Sequence, residues 1–148
     1  MGFGNASTTA PDGARANCDA KRVTLSRGVW TVGVDGSDPR QLYSPEDCRT
    51  QVGSVDPTAT RVAISQRCPD PTASGLWLVD LSSGETDQVV NANTGPPKWS
   101  PDGAWLVFGL RPFFGHAPST VWMARADGRQ LRQVTEEPAW TPVWLPPP

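Results

Sequence analysis

The sequence predicts an all-β chain of about three units, each built from four short antiparallel strands. Two observations predict it: a tryptophan-marked repeat, and a composition of turn formers. GLWLVDLSSGE around Trp77 returns as TVWMARADGRQ around Trp122, which places the two tryptophans 45 residues apart. PPKWSP at Trp99 returns as TPVWLP at Trp144 with the same spacing of 45. GVWTVGVDGSD around Trp30 is a third copy, 47 residues before Trp77. The 148 residues include 16 Pro, 14 Gly and 7 Trp, with few Lys, Glu or Leu to build helices, so turns and short strands follow.

The first copy opens on a Pro11-Asp12-Gly13 turn. The segment ANCDAK then delays its second strand to Arg22-Val23-Thr24-Leu25. Its third strand carries Trp30, Asp35-Gly36 marks a hairpin turn, and Gln41-Leu42 falls in the fourth strand. In the second copy Pro57-Thr58-Ala59 stands where Asp-Gly is expected. Arg61-Val62-Ala63-Ile64 is its second strand, Trp77 marks its third, Ser83-Gly84 turns the chain, and Gln88-Val89-Val90 is its fourth. The third copy is the clearest. Pro97-Lys98-Trp99-Ser100 is a first strand, and Pro101-Asp102-Gly103 is a turn that requires positive φ at Gly. Ala104-Trp105-Leu106-Val107-Phe108 is an apolar run short enough for a strand buried on both faces, ended by Gly109. Thr120–Arg125 runs into an Asp127-Gly128 hairpin turn, and Leu131-Arg132-Gln133-Val134 alternates as a solvent-edge strand does.

WSPDG at 99 to 103, the apolar strand after it, and then VW and a DG turn together resemble the TolB-type, WD-like (PD-repeat) propeller repeat. The resemblance covers nearly the whole chain from Pro11. It implies propeller-like blades at 11–51, 52–96 and 97–141, a flexible tail at 1–10, and a spare first strand at 142–148. A plain β-sandwich of short strands is the alternative that the same alternation supports. Closed propellers carry about four to eight blades, so three copies fall short of a ring. Closure between chains, with two copies completing one ring, is the simplest expectation.

Charge and motifs narrow the function. A formal net charge of −2 and a pI near 5.3 give no overall field for nucleic acid or anionic lipid. No run of about 18 apolar residues spans a membrane, and the start MGFGNAST lacks the basic and apolar regions of an export signal. His116 is the only histidine, which excludes a His-based metal cluster, and no G-x-S-x-G nucleophile elbow accompanies it. Asp12, Asp35, Asp102 and Asp127 each precede Gly, where Asp serves turn geometry. Asp35 and Asp38 lack the ligand spacing of a calcium loop, and no phosphate-binding glycine fingerprint occurs. No catalytic residue, cofactor or metal is therefore expected.

Cys18, Cys48 and Cys68 do not fit zinc spacing. In an up-and-down blade the loops holding Cys48 and Cys68 open on the same edge, so a bridge between them is geometrically allowed. It would leave Cys18 free and imply an oxidising compartment. With the resemblance, this points to an extracytoplasmic location, periplasmic or secreted. The loop from Arg111 to Pro118 combines Arg with adjacent aromatics, the composition of interface anchors. Arg111, Phe113, Phe114 and His116, with Trp144 of the spare strand, are the candidate partner-binding residues. The bland counterparts are a Phe capping its blade and a solvated His116. The expected function is a non-catalytic protein-binding or structural subunit, acting in a homo-oligomer or a larger assembly. The alternative is a small-ligand-binding or hydrolytic propeller whose central funnel forms on oligomer closure.

Overall fold

A computed structural model describes residues 28–113 and 117–146. The tail at 1–10, the Pro11-Asp12-Gly13 turn, the strand at 22–25, Cys18, Phe114 and His116 lie outside the described residues. Among the described residues eleven antiparallel strands form three sheets. The first pairs β1 (Val29–Thr31) with β2 (Arg40–Tyr43). The second is β3 (Arg49–Val55), β4 (Arg61–Arg67), β5 (Gly75–Asp80) and β6 (Thr86–Val90), each paired with the next. The third runs from β7 (Asn93–Thr94) and β8 (Lys98–Trp99) through β9 (Trp105–Arg111) and β10 (Thr120–Arg125) to β11 (Arg132–Gln133). The chain is all-β, in up-and-down blades.

Packing explains the continuous apolar runs. Ala63, Leu76 and Leu78 of the second sheet meet Trp99, Leu106, Phe108 and Ala124 of the third in one cluster. Val62, Ile64 and Val79 turn the other way and meet Val29 of the first sheet. Successive residues of β4 thus point into two different cores, so both of its faces demand apolar side chains. Burying an aliphatic side chain of this kind contributes about 1.5–3 kcal/mol. Trp99 is buried at this blade junction, whereas Trp30, the marker of the first copy, is 56% exposed.

β7 and β8 are two halves of one inner strand. Asn93 and Thr94 pair with Arg111 and Leu110, the Gly95 amide donates to the Gly109 carbonyl (2.8 Å), and Lys98 and Trp99 pair with Val107 and Leu106. Pro96 and Pro97 have no amide to donate, which interrupts the ladder there. The next inner strand lies close by. A Cβ on Gly53 would stand 2.0 Å from the Pro97 carbonyl oxygen, so this junction closes only around glycine. The Trp99 amide donates to Ser54 Oγ (2.9 Å) and Lys98 Nζ to the Gly53 carbonyl (3.3 Å).

Several strand ends differ from the sequence expectation. β9 does not stop at Gly109 but continues to Arg111, and β4 continues past Ile64 to Arg67. The position between residues 51 and 52 falls inside β3. Pro57-Thr58-Ala59 keeps the turn geometry of Pro101-Asp102-Gly103 without a glycine: φ is +54° at Ala59 and +71° at Gly103. Asp56 makes this tolerable. Its Oδ1 accepts from the Thr60 and Arg61 amides (2.8 and 2.9 Å), as Ser100 Oγ accepts from the Trp105 amide (2.9 Å) in the third blade.

Candidate functional site

Arg111 ends β9, opposite Asn93. Its guanidinium lies 4.7 Å from the centroid of the Trp140 ring, and its Nε donates weakly to Ser119 Oγ (3.4 Å). Phe113 is 40% exposed and lines a small hollow with Cys68, Pro69 and Pro71. Trp144 stands elsewhere: its Nε1 donates to the Lys98 carbonyl (3.0 Å). Among the described residues, Arg111, Phe113 and Trp144 are therefore not gathered into one patch. Arg111 touches the returning segment at Trp140, and Trp144 is part of that segment.

That segment, residues 138–146, forms no strand, yet it follows the repeat. The Ala139 amide donates to the Ser119 carbonyl (2.9 Å), and the Trp140 carbonyl approaches Gly109 so closely that a Cβ there would be 2.8 Å away. Trp140 and Trp144 are 45 residues beyond Gly95 and Trp99, and the segment lies along the third blade as β7 and β8 lie along the second. Val143 and Leu145 on it are 74% and 83% exposed.

Cys48 and Cys68 are joined by a disulfide with a Cα–Cα distance of 4.2 Å. They flank the cross-strand pair Arg49 and Arg67, just beyond the end of the β3–β4 ladder. Both arginines, with Arg111, line a cavity of about 600 Å³ between the second and third blades. Thr50, Gln51, Ser65, Thr94, Trp140 and Thr141 also face it, and no acidic residue among the described residues does. An Arg67 Nη2 donates to Asn93 Oδ1, and the Ser65 hydroxyl donates to the Thr94 carbonyl. The Thr50 hydroxyl is buried and has no hydrogen-bond partner among the described residues. Only Arg111 of this group was foreseen. A signal for Arg67 existed: it stands 44 residues before Arg111, at the same end of the second strand of its blade.

The blades are shared with solved structures. Over 76% of this chain, TolB from Acinetobacter baumannii superposes with a TM-score of 0.58 at 19% identity. The putative TolB from Agrobacterium tumefaciens matches 74% with a TM-score of 0.62 at 17% identity. An oligogalacturonate lyase, solved in complex with manganese, matches 73% with a TM-score of 0.51 at 18% identity. The matched regions are 27%, 38% and 30% of those chains, so this chain spans well under half the length of each. No protein-family profile and no curated protein matches the sequence. The likeness shows the fold: antiparallel four-stranded blades of the TolB propeller type, without a closed ring among the described residues.

Proposed function

We propose that this chain is a non-catalytic protein-binding or structural module of propeller type that works in an assembly, with a second copy as the simplest partner. The observation that carries this reading is the segment 138–146. It sits on the third blade where the first strand of a further blade would sit, and no strand pairs with it among the described residues. Unpaired backbone beside exposed apolar side chains is a template for strand addition. Trp144 anchors the segment and Arg111 stacks on its Trp140, and Phe113, Phe114 and His116 of the loop after Arg111 are further candidates for partner contact. The disulfide supports work in an oxidising, extracytoplasmic compartment.

Light scattering on the full chain tests this. The expected mass is a multiple of 15.9 kDa. Val143→Lys with Leu145→Lys is expected to shift the assembly toward monomer by about tenfold or more in dissociation constant, because two exposed anchors are replaced by charges. A folded monomer at every concentration, unaffected by these substitutions, would refute the proposal.

A further inference from the structure

The geometry points to a second property, independent of assembly: the cavity between the second and third blades is a binding site for a small ligand with two or more oxyanion groups. Arg49, Arg67 and Arg111 line it, all three solvent-exposed, and among the described residues no carboxylate does. The chain as a whole carries a net charge of −2, so this concentration of positive charge runs against the overall balance. Arg49 and Arg67 are direct cross-strand partners. Like charges directly opposite one another destabilise a sheet, and an anion between them would relieve that repulsion.

The internal partners of these side chains leave capacity to spare. Arg67 and Arg111 donate to the neutral oxygens of Asn93 and Ser119. A guanidinium has five donors, suited in pairs to the two oxygens of a carboxylate or phosphate. The Thr50 hydroxyl, buried at the cavity wall without a partner among the described residues, is a further group of the kind a ligand or its bound water satisfies. Trp140 closes one side under the Arg111 guanidinium and holds it in place. The volume of about 600 Å³ exceeds what one inorganic anion fills and falls within the range of small-molecule sites. Carboxylate and phosphate share the chemistry that the arginines recognise.

Calorimetric titration of the full chain with citrate and with pyrophosphate, at ionic strength matched with sodium chloride, provides the test. At least one of the two is expected to bind at about one per chain, and the tighter one assigns the ligand as carboxylate or phosphate in nature. Arg67→Gln and Arg111→Gln are expected to weaken binding by about tenfold or more, and Thr50→Val by a smaller factor. Arg129→Gln, on the turn between β10 and β11, should leave it unchanged. Arg49→Gln gives the sharpest readout: the melting temperature without ligand should rise as repulsion is relieved, while affinity falls. No binding of either anion at millimolar concentration, or an equal loss in Arg129→Gln, would overturn the proposal. So would an Arg49→Gln chain that is destabilised yet binds normally.

Discussion

Removing the Cys48–Cys68 bridge by the double substitution Cys48→Ser, Cys68→Ser is expected to cost about 3 kcal/mol. The two cysteines are 20 residues apart, and the loop they close in the unfolded chain contains the β3–β4 hairpin. Loop-closure entropy for about 20 residues corresponds to about 3 kcal/mol at room temperature. At a urea dependence of roughly 1.5 kcal/mol per molar, the unfolding midpoint should fall by about 2 M. The melting temperature should fall by roughly 6–12 °C for a chain of this size. Circular dichroism in urea, with and without reductant, reads the effect, and reductant should move the parent chain but not the double variant. Alkylation of the native protein should modify Cys18 alone. A double variant whose midpoint stays within the error of the parent, or three alkylated thiols in the native protein, would refute the reasoning.

Ala59→Gly should stabilise the chain by about 0.5–1 kcal/mol in the same assay, because φ is +54° there and an L side chain is strained in that region. Burial pushes the Asp56 carboxyl up, but hydrogen bonds from the Thr58 hydroxyl, the Arg61 and Thr60 amides and the Thr60 hydroxyl outweigh it and hold the pKa at about 2 against an ordinary 3.8. A depressed carboxyl contributes stability that is present above about pH 4 and is lost as pH falls toward 2. After allowance for solvent screening, about 1 kcal/mol is expected from it. Asp56→Asn should therefore flatten that part of the pH–stability curve, and an unchanged slope would count against the hydrogen-bond account. Gly109→Ala should displace the Trp140 carbonyl, which would stand 2.8 Å from the new Cβ, and so loosen residues 138–146. The readouts are a tryptophan fluorescence shift and weaker self-association, with the sheet signal retained.

Local pattern carried the strands whose partners are also local. Thr120–Arg125 is read to the residue because the Asp127-Gly128 hairpin turn that ends it, and the edge strand it pairs with, follow directly in the sequence. The extension of β4 through Ser65 and Gln66 was not legible, since these polar residues are buried by distant partners. The Tyr43 hydroxyl donates to Gln66 Oε1 (2.8 Å), and Gln66 Nε2 donates to the Ala73 carbonyl (3.0 Å). Gly109 looked like a strand end, but it lies opposite Val121 within the ladder, and its missing side chain admits the Trp140 carbonyl. The cavity was hidden for the same reason. Arg49, Arg67 and Arg111 are far apart in sequence and meet only through strand register, and nothing local distinguishes them from solvated surface arginines. Trp144 marks the repeat in the sequence, but its indole hydrogen bond to Lys98 depends on the packed blade, and no strand forms around it at 138–146.

The junction between inner strands repeats with the sequence. Ser54 receives Trp99, and the next step of 45 residues brings Trp144 to the backbone beside Trp99. The seam between the second and third blades and the contact of residues 138–146 with the third blade thus fall one repeat apart, although the groups that bond differ. Such a chain can be lengthened by whole units: inserting a further 45-residue copy between the second and third blades would recreate both seams. An insertion of two or three residues within β3 would instead misplace Gly53 against Pro97 and break the seam. Genetic change in this architecture is thus tolerated in multiples of the blade, which makes the number of blades a more easily altered property than the shape of any one of them.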